Sequence, residues 1–114
     1  MTSESQDAPA LGRMDVTSLK HLLDSDAALH LLDVRTHHEW EIARIEGATL
    51  LDESAQEIVR NIPADAMIVV YCHHGIRSLH AADHLLSMGF RNVYNLEGGI
   101  DAWAIEVDPG VRRY

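Results

Sequence analysis

The segment Met67-Ile68-Val69-Val70-Tyr71 constrains the fold more than any other stretch of this chain. It is short, rich in β-branched residues, and carries no polar side chain at alternate positions. A strand of that kind must be covered on both faces, as in the centre of a parallel sheet. Leu29 to Val34, Ala48 to Leu51 and Asn92 to Asn95 read as further strands. Between them lie helical spacings. Val16 to Leu23 places Val16, Leu19, Leu22 and Leu23 on one side, with Asp15 or Thr17 as cap. His38 to Ala43 predicts a short helix. Glu53 to Ile62 predicts another, with Ala55, Ile58, Val59 and Ile62 on one side and Pro63 ending it. Leu79 to Met88 follows, closed by Gly89 in a left-handed cap position. Ile100 to Ala104 gives a last helical turn or two after Gly98-Gly99. Leu11 to Met14 reads as a lead-in to the core. Strands alternating with helices predict an α/β fold with a central parallel sheet covered on both faces. Residues 1–12 are expected to be a flexible tail, 13–108 the domain, and 109–114 an exposed C-terminal tail.

In such sheets, sites form where strands end in loops that lead into helices. The rule singles out the loop after Tyr71. Cys72 stands at its first position, followed by His73, His74, Gly75, Ile76, Arg77 and Ser78. Inward-pointing N–H groups of a compact loop form an anion-binding nest, and a helix N-terminus adds partial positive charge. Both favour thiolate, whose ordinary pKa of about 8.5 falls by one or more at such sites. Gly75 permits a backbone turn that other residues resist. Arg77 offers a cation to a thiolate, a persulfide or an anionic substrate. The competing reading of a lone cysteine is an inert core residue; the loop setting favours function.

Composition narrows the classes. One cysteine in 114 residues excludes an internal disulfide and a multi-cysteine zinc site. Eighteen acids against nine bases give a net charge of −9, which argues against general nucleic-acid or anionic-membrane binding. The longest apolar run, Met67 to Cys72, is far short of a membrane span, and the polar start lacks a secretory core. A cytoplasmic location is expected.

Three ordered segments carry a family resemblance. Cys72-His73-His74-Gly75-Ile76-Arg77-Ser78 resembles the active-site loop of single-domain rhodaneses, sulfurtransferases that carry a cysteine persulfide. Leu31-Leu32-Asp33-Val34-Arg35, then Glu39-Trp40-Glu41, Ile45 and Gly47-Ala48, is similar to the family's first signature. Val93-Tyr94-Asn95-Leu96-Glu97-Gly98-Gly99-Ile100 with Ala102-Trp103 is similar to its closing one. The resemblance implies a rhodanese-like fold of about five parallel strands. It also implies that Cys72 takes a sulfane sulfur from an anionic donor such as thiosulfate and passes it to cyanide, a low-molecular-weight thiol or a protein cysteine. The backbone of His73 through Ser78 would cradle the persulfide, Arg77 would help to bind the donor, and Asp33 and Arg35 would order the neighbouring loops. No cofactor or metal is implied.

Two departures stand out. Ala43-Arg44-Ile45-Glu46-Gly47-Ala48 lacks the family's usual Gly, His and Pro at this turn. His73 and His74 stand where Arg or Lys often follows the cysteine, so the loop holds less fixed positive charge. If either histidine faces the site, donor affinity is expected to improve toward pH 6. Rival readings exist. Thiol phosphatases and arsenate reductases of the same fold use a loop one residue longer between Cys and Arg. A non-catalytic or redox-sensing module would keep the thiol without turnover. His80 and His84, with the loop histidines, suggest a metal cluster, but His80, Asp83, His84 and Ser87 read as a solvated helix face, and His37-His38 as a capping or loop pair. Trp40 and Trp103 read as packing anchors.

Overall fold

The computed structural model describes residues 10–114, so most of the expected N-terminal tail lies outside the described residues. In chain order the elements are β1 (Gly12–Met14), α1 (Val16–Asp24), β2 (His30–Asp33), α2 (His37–Ile42), β3 (Thr49–Leu50), a 3-10 turn (Glu53–Ala55), α3 (Gln56–Arg60), β4 (Ile68–Tyr71), α4 (Arg77–Ser87), β5 (Val93–Leu96) and α5 (Gly99–Glu106). The five strands form one sheet in the order β1-β5-β4-β2-β3. Every pairing is parallel. The expected α/β architecture is therefore present.

β4 is central because it is apolar on both faces. Ile68, Val69, Val70 and Tyr71 are fully buried. Val69 and Tyr71 face one core with Leu19 of α1 and Ile100 and Trp103 of α5. Ile68 and Val70 face the other, with Val59 of α3 and Ala82 and Leu85 of α4. Each buried valine contributes roughly 1.5–3 kcal/mol relative to exposure. On one side β4 pairs with β2, ending at Asp33 opposite Tyr71; on the other it pairs with β5, up to Asn95 opposite Val70. This register delivers Asp33, Cys72 and Asn95 to the same carboxyl edge of the sheet.

The helices follow their caps. Asp15 caps α1 by accepting from the Ser18 N–H at 2.8 Å. Thr36 and Glu39 close a capping box on α2. α4 ends at Met88–Gly89, and Gly89 has the expected positive φ of 108°. His80, Asp83, His84 and Ser87 lie on its exposed face. Trp103 is a buried anchor, whereas Trp40 is only half-buried and lies under the Arg44 guanidinium at 4.5 Å. Ile58 does not join the core; the 3-10 turn before α3 rotates it outward, to 51% exposure. The turn at 43–48, which lacks the usual Pro, is closed by the Ala48 N–H to Ile45 carbonyl bond of 3.1 Å and a positive φ at Gly47.

Two features near the ends of the domain are not evident in the sequence. Residues 12–14 form the edge strand β1, too short for any periodicity to reveal, so the lead-in belongs to the sheet. The C-terminal residues are exposed but not loose. Tyr114 hydrogen-bonds Arg35 and Glu39, and Arg113 pairs with Asp101.

The buried charges are self-contained. Arg35 and Asp33 are joined at 2.6 Å with both side chains fully buried. Arg35 also donates to the Ala43 carbonyl at 2.7 Å and to the Tyr114 hydroxyl at 2.8 Å. Removing one partner strands a charge away from water. We expect Asp33→Ala to lower unfolding free energy by about 3–5 kcal/mol in urea denaturation. His80→Ala on the exposed face of α4 should stay within about 0.5 kcal/mol of the parent.

Candidate active site

Cys72 follows directly on β4 and is 1% exposed. Its Sγ accepts from the Gly75 N–H at 3.1 Å, the Ser78 N–H at 3.4 Å and the Ser78 hydroxyl at 3.3 Å. The His74 N–H contributes as well. α4 begins at Arg77, and its N-cap residue, Ile76, has no side chain that can cap it. The sulfur fills that role: it accepts from the Ser78 N–H and hydroxyl at the helix N-terminus. Burial pushes the thiol pKa up, but the Ser78 hydroxyl and the N–H groups of Ser78, Gly75 and His74 outweigh it, and the net direction is down.

Why the N–H groups point inward is visible in the loop's carbonyls. The Cys72 carbonyl accepts from Ile100 N at 2.9 Å, and the His73 carbonyl accepts from Asp101 N at 3.1 Å. Both donors lie in the first turn of α5. The Gly75 carbonyl accepts from the Asn95 side-chain amide at 3.0 Å. These carbonyls face α5 and β5, and the N–H groups of Gly75 and Ser78 are left for the sulfur. Two glycines make this possible. Gly99 has φ 60°, and a Cβ there would fall 2.4 Å from the Cys72 carbonyl oxygen. Gly75 has φ 103°, with Gly98 N at 3.3 Å from its would-be Cβ.

Ser78 stands between sulfur and Asn95. Its Oγ lies 2.5 Å from Asn95 Oδ1 and 3.3 Å from Sγ, and all three residues are buried. A hydroxyl has one proton to give. With a neutral thiol it is free to donate to Asn95; facing a thiolate it donates to sulfur.

Around the loop, the charges are paired. Both terminal nitrogens of Arg77 bind the Glu39 carboxylate, at 2.7 and 2.8 Å. The Tyr114 hydroxyl donates to the same carboxylate at 2.8 Å. Arg77 thus holds the Glu39 pKa well below the usual carboxylate range, with the Tyr114 bond adding to it. Glu39 in turn raises Arg77. Arg77 therefore shares its charge with Glu39. The His73 ring stacks on Tyr114 at 4.0 Å and on His74 at 3.9 Å. Desolvation and the neighbouring His74 push the His73 pKa below its ordinary value. His73 therefore gains its charge at lower pH than a free histidine. Ile76 is 69% exposed at the loop tip.

Asp33 and Arg35 sit beside the loop and touch no atom of Cys72 in any hydrogen bond given by the structure. They fix the end of β2: the Arg35 N–H and guanidinium both bind Asp33. A cleft of 550 Å³ lies elsewhere, lined by Leu51, Val59, His84, Leu85 and Met88, none of which belongs to the cysteine loop.

The sequence of residues 15–106 matches the rhodanese-like domain. The chain belongs to the rhodanese-like family. It is 32% identical over 91 residues to "Thiosulfate sulfurtransferase GlpE" of Vibrio cholerae, covering 79% of this chain and 85% of that protein. It is 38% identical over 99 residues to "Probable adenylyltransferase/sulfurtransferase MoeZ" of Mycobacterium tuberculosis, covering 84% of this chain but only 25% of that longer protein. A rhodanese-like domain protein from Staphylococcus aureus has the same fold, with a TM-score of 0.73 over 90% of this chain and 98% of that one, at 24% identity. No helix among the described residues is long and apolar enough to cross a membrane.

Around this rhodanese-like loop, the sequence did not reveal the roles of Asn95, Glu39, Gly99 and Tyr114. Asn95 and Glu39 stood in the signatures but without a partner to suggest a role. Tyr114 lies 79 positions from Arg35, and nothing local signals that contact.

The geometry predicts how the thiol titrates. Ser78 supplies two donors to sulfur, and Ser78→Ala removes one while keeping the N–H. Losing a donor to the thiolate raises the pKa. The midpoint of the pH profile for iodoacetamide alkylation should rise by about one pH unit, slowing the reaction near neutral pH about tenfold. An unmoved midpoint would mean that the hydroxyl serves Asn95 alone.

Proposed function

We propose that this chain is a sulfurtransferase in which Cys72 carries a sulfane sulfur between a donor and a thiophilic acceptor. The observation that carries the reading is the convergence of backbone N–H groups and one hydroxyl on a single sulfur, at the carboxyl edge of a rhodanese-like sheet. Relatives named thiosulfate sulfurtransferase support the choice of donor class.

The chemistry is a two-step exchange at Cys72. The thiolate attacks the outer sulfur of thiosulfate. A Cys72 S–S bond forms, the S–S bond of thiosulfate breaks, and its electron pair leaves with sulfite. The acceptor, cyanide or a low-molecular-weight or protein thiolate, then attacks the outer sulfur. The new bond to the acceptor forms as the Cys72 S–S bond breaks, and the thiolate returns. No external oxidant, metal or organic cofactor is required. The donors that hold the thiolate also suit the persulfide anion, so the loop is arranged for both resting forms. With Arg77 engaged by Glu39, an anionic donor relies mainly on these backbone donors and on whatever part of the guanidinium Glu39 leaves open. That is a demanding task for a chain of net charge −9. The chain has no second thiol to resolve the persulfide, so the sulfur must leave to an external acceptor.

A phosphatase reading is disfavoured by the cradle itself. Four residues separate Cys72 from Arg77, one fewer than in the loops of thiol phosphatases, and the shorter nest suits a sulfur atom better than a tetrahedral oxyanion.

Intact-mass measurement tests the proposal. Protein incubated with thiosulfate should gain the mass of one sulfur, lose it on cyanide addition with release of thiocyanate, and show no gain as Cys72→Ala. Absence of any gain with thiosulfate and with a persulfide donor would contradict sulfur transfer and favour a sensing module.

A further inference from the structure

The histidine pair in the cysteine loop is the feature that sulfur transfer does not explain. The fold brings a third group to it. Asp101, in the first turn of α5, places Oδ2 3.7 Å from His74 Nε2. One ligand atom from each of His73, His74 and Asp101 lies within 4.8 Å of the others. We infer that His73, His74 and Asp101 form a binding site for a divalent transition-metal ion of the zinc type, which staples the cysteine loop to α5 and slows sulfur transfer. The slowing rests on the sulfurtransferase reading; the binding does not.

Three observations support the site. The donor set is two imidazoles and one carboxylate, the combination that borderline ions such as zinc accept, with a fourth position left for water. The ligands are held from behind. The Tyr114 ring stacks on His73, and the Arg113 Nε donates to Asp101 Oδ1 at 2.8 Å, while Oδ2 is shared between Arg113 Nη2 and the side facing His74. Such outer partners orient ligands in metal sites. Finally, the site is nearly assembled. Tetrahedral zinc wants ligand atoms about 3.4 Å apart, given bonds of about 2.0–2.2 Å. His74 has a 62% exposed side chain, so closing the remaining distance requires its ring to shift from its stack on His73 and no buried packing to move. The Arg113 Nη2, 3.3 Å from Oδ2, is the group that the ion would displace.

His80 and His84, on the exposed face of α4, are not among these ligands. The backbone already joins the same two elements through the His73 carbonyl and Asp101 N–H bond. An ion there would make the loop stiffer where a donor and an acceptor must each approach Cys72.

Calorimetric titration with zinc chloride tests the site without relying on activity. The protein is used as Cys72→Ala, so that the thiol cannot bind zinc. One zinc per chain is expected. Affinity should fall at least tenfold in Cys72→Ala/His74→Ala and in Cys72→Ala/Asp101→Asn. No stoichiometric binding, or binding that survives both second substitutions, overturns the site. In the thiosulfate assay with Cys72 present, zinc should inhibit the parent more strongly than Asp101→Asn. Equal inhibition of both would overturn the stapling role while leaving the sulfur-transfer reading untouched.

Discussion

The site depends on one constraint: which way the peptide groups of the loop after β4 are turned. The carbonyls of Cys72 and His73 are claimed by the first two N–H groups beyond Gly99, and that of Gly75 by Asn95. An unpaired buried carbonyl costs roughly as much as a lost hydrogen bond, so these partners hold the peptide planes in place. The opposite edges of the loop then present N–H groups to one point, and Cys72 Sγ occupies it. β5 and α5 are thus as much part of the site as the cysteine loop. The Gly98-Gly99 turn lets α5 come close enough to serve as the second wall.

Around this arrangement the charges are matched within the domain. Asp33 and Arg35 neutralise each other in the interior, and Arg35 reaches on to Tyr114. Tyr114 also binds Glu39, which holds Arg77. One polar network therefore runs from the end of β2 to the base of α4. Its effect is positional. It leaves the sulfur in a setting whose stabilisation comes mainly from oriented dipoles, not from a free cation.

Much of this was legible in the sequence, for local reasons. β4 announced itself because four consecutive positions are buried on alternating faces. Gly89 marked the end of α4 because only a left-handed cap explains a glycine there. Cys72, Gly75 and Ser78 were placed at the strand-to-helix junction by topology alone. The rest depends on contacts between distant segments. Gly12-Arg13-Met14 is too short to show a strand period. Arg77 and Glu39 are 38 positions apart, and nothing local signals that Arg77 shares its charge with a carboxylate. Tyr114 looked like an exposed end because nothing near it in sequence names its partners. Asp101 joins the loop histidines only when α5 docks.

The central claim is that the loop's inward N–H groups hold the transferred sulfur on Cys72. A crystal structure of the thiosulfate-treated protein tests it directly. The account predicts an outer sulfur bonded to Cys72 Sγ and within hydrogen-bond distance of at least two N–H groups from residues 73–78. An outer sulfur turned out of the loop, or an unmodified Cys72 beside a sulfur carried elsewhere, would contradict it.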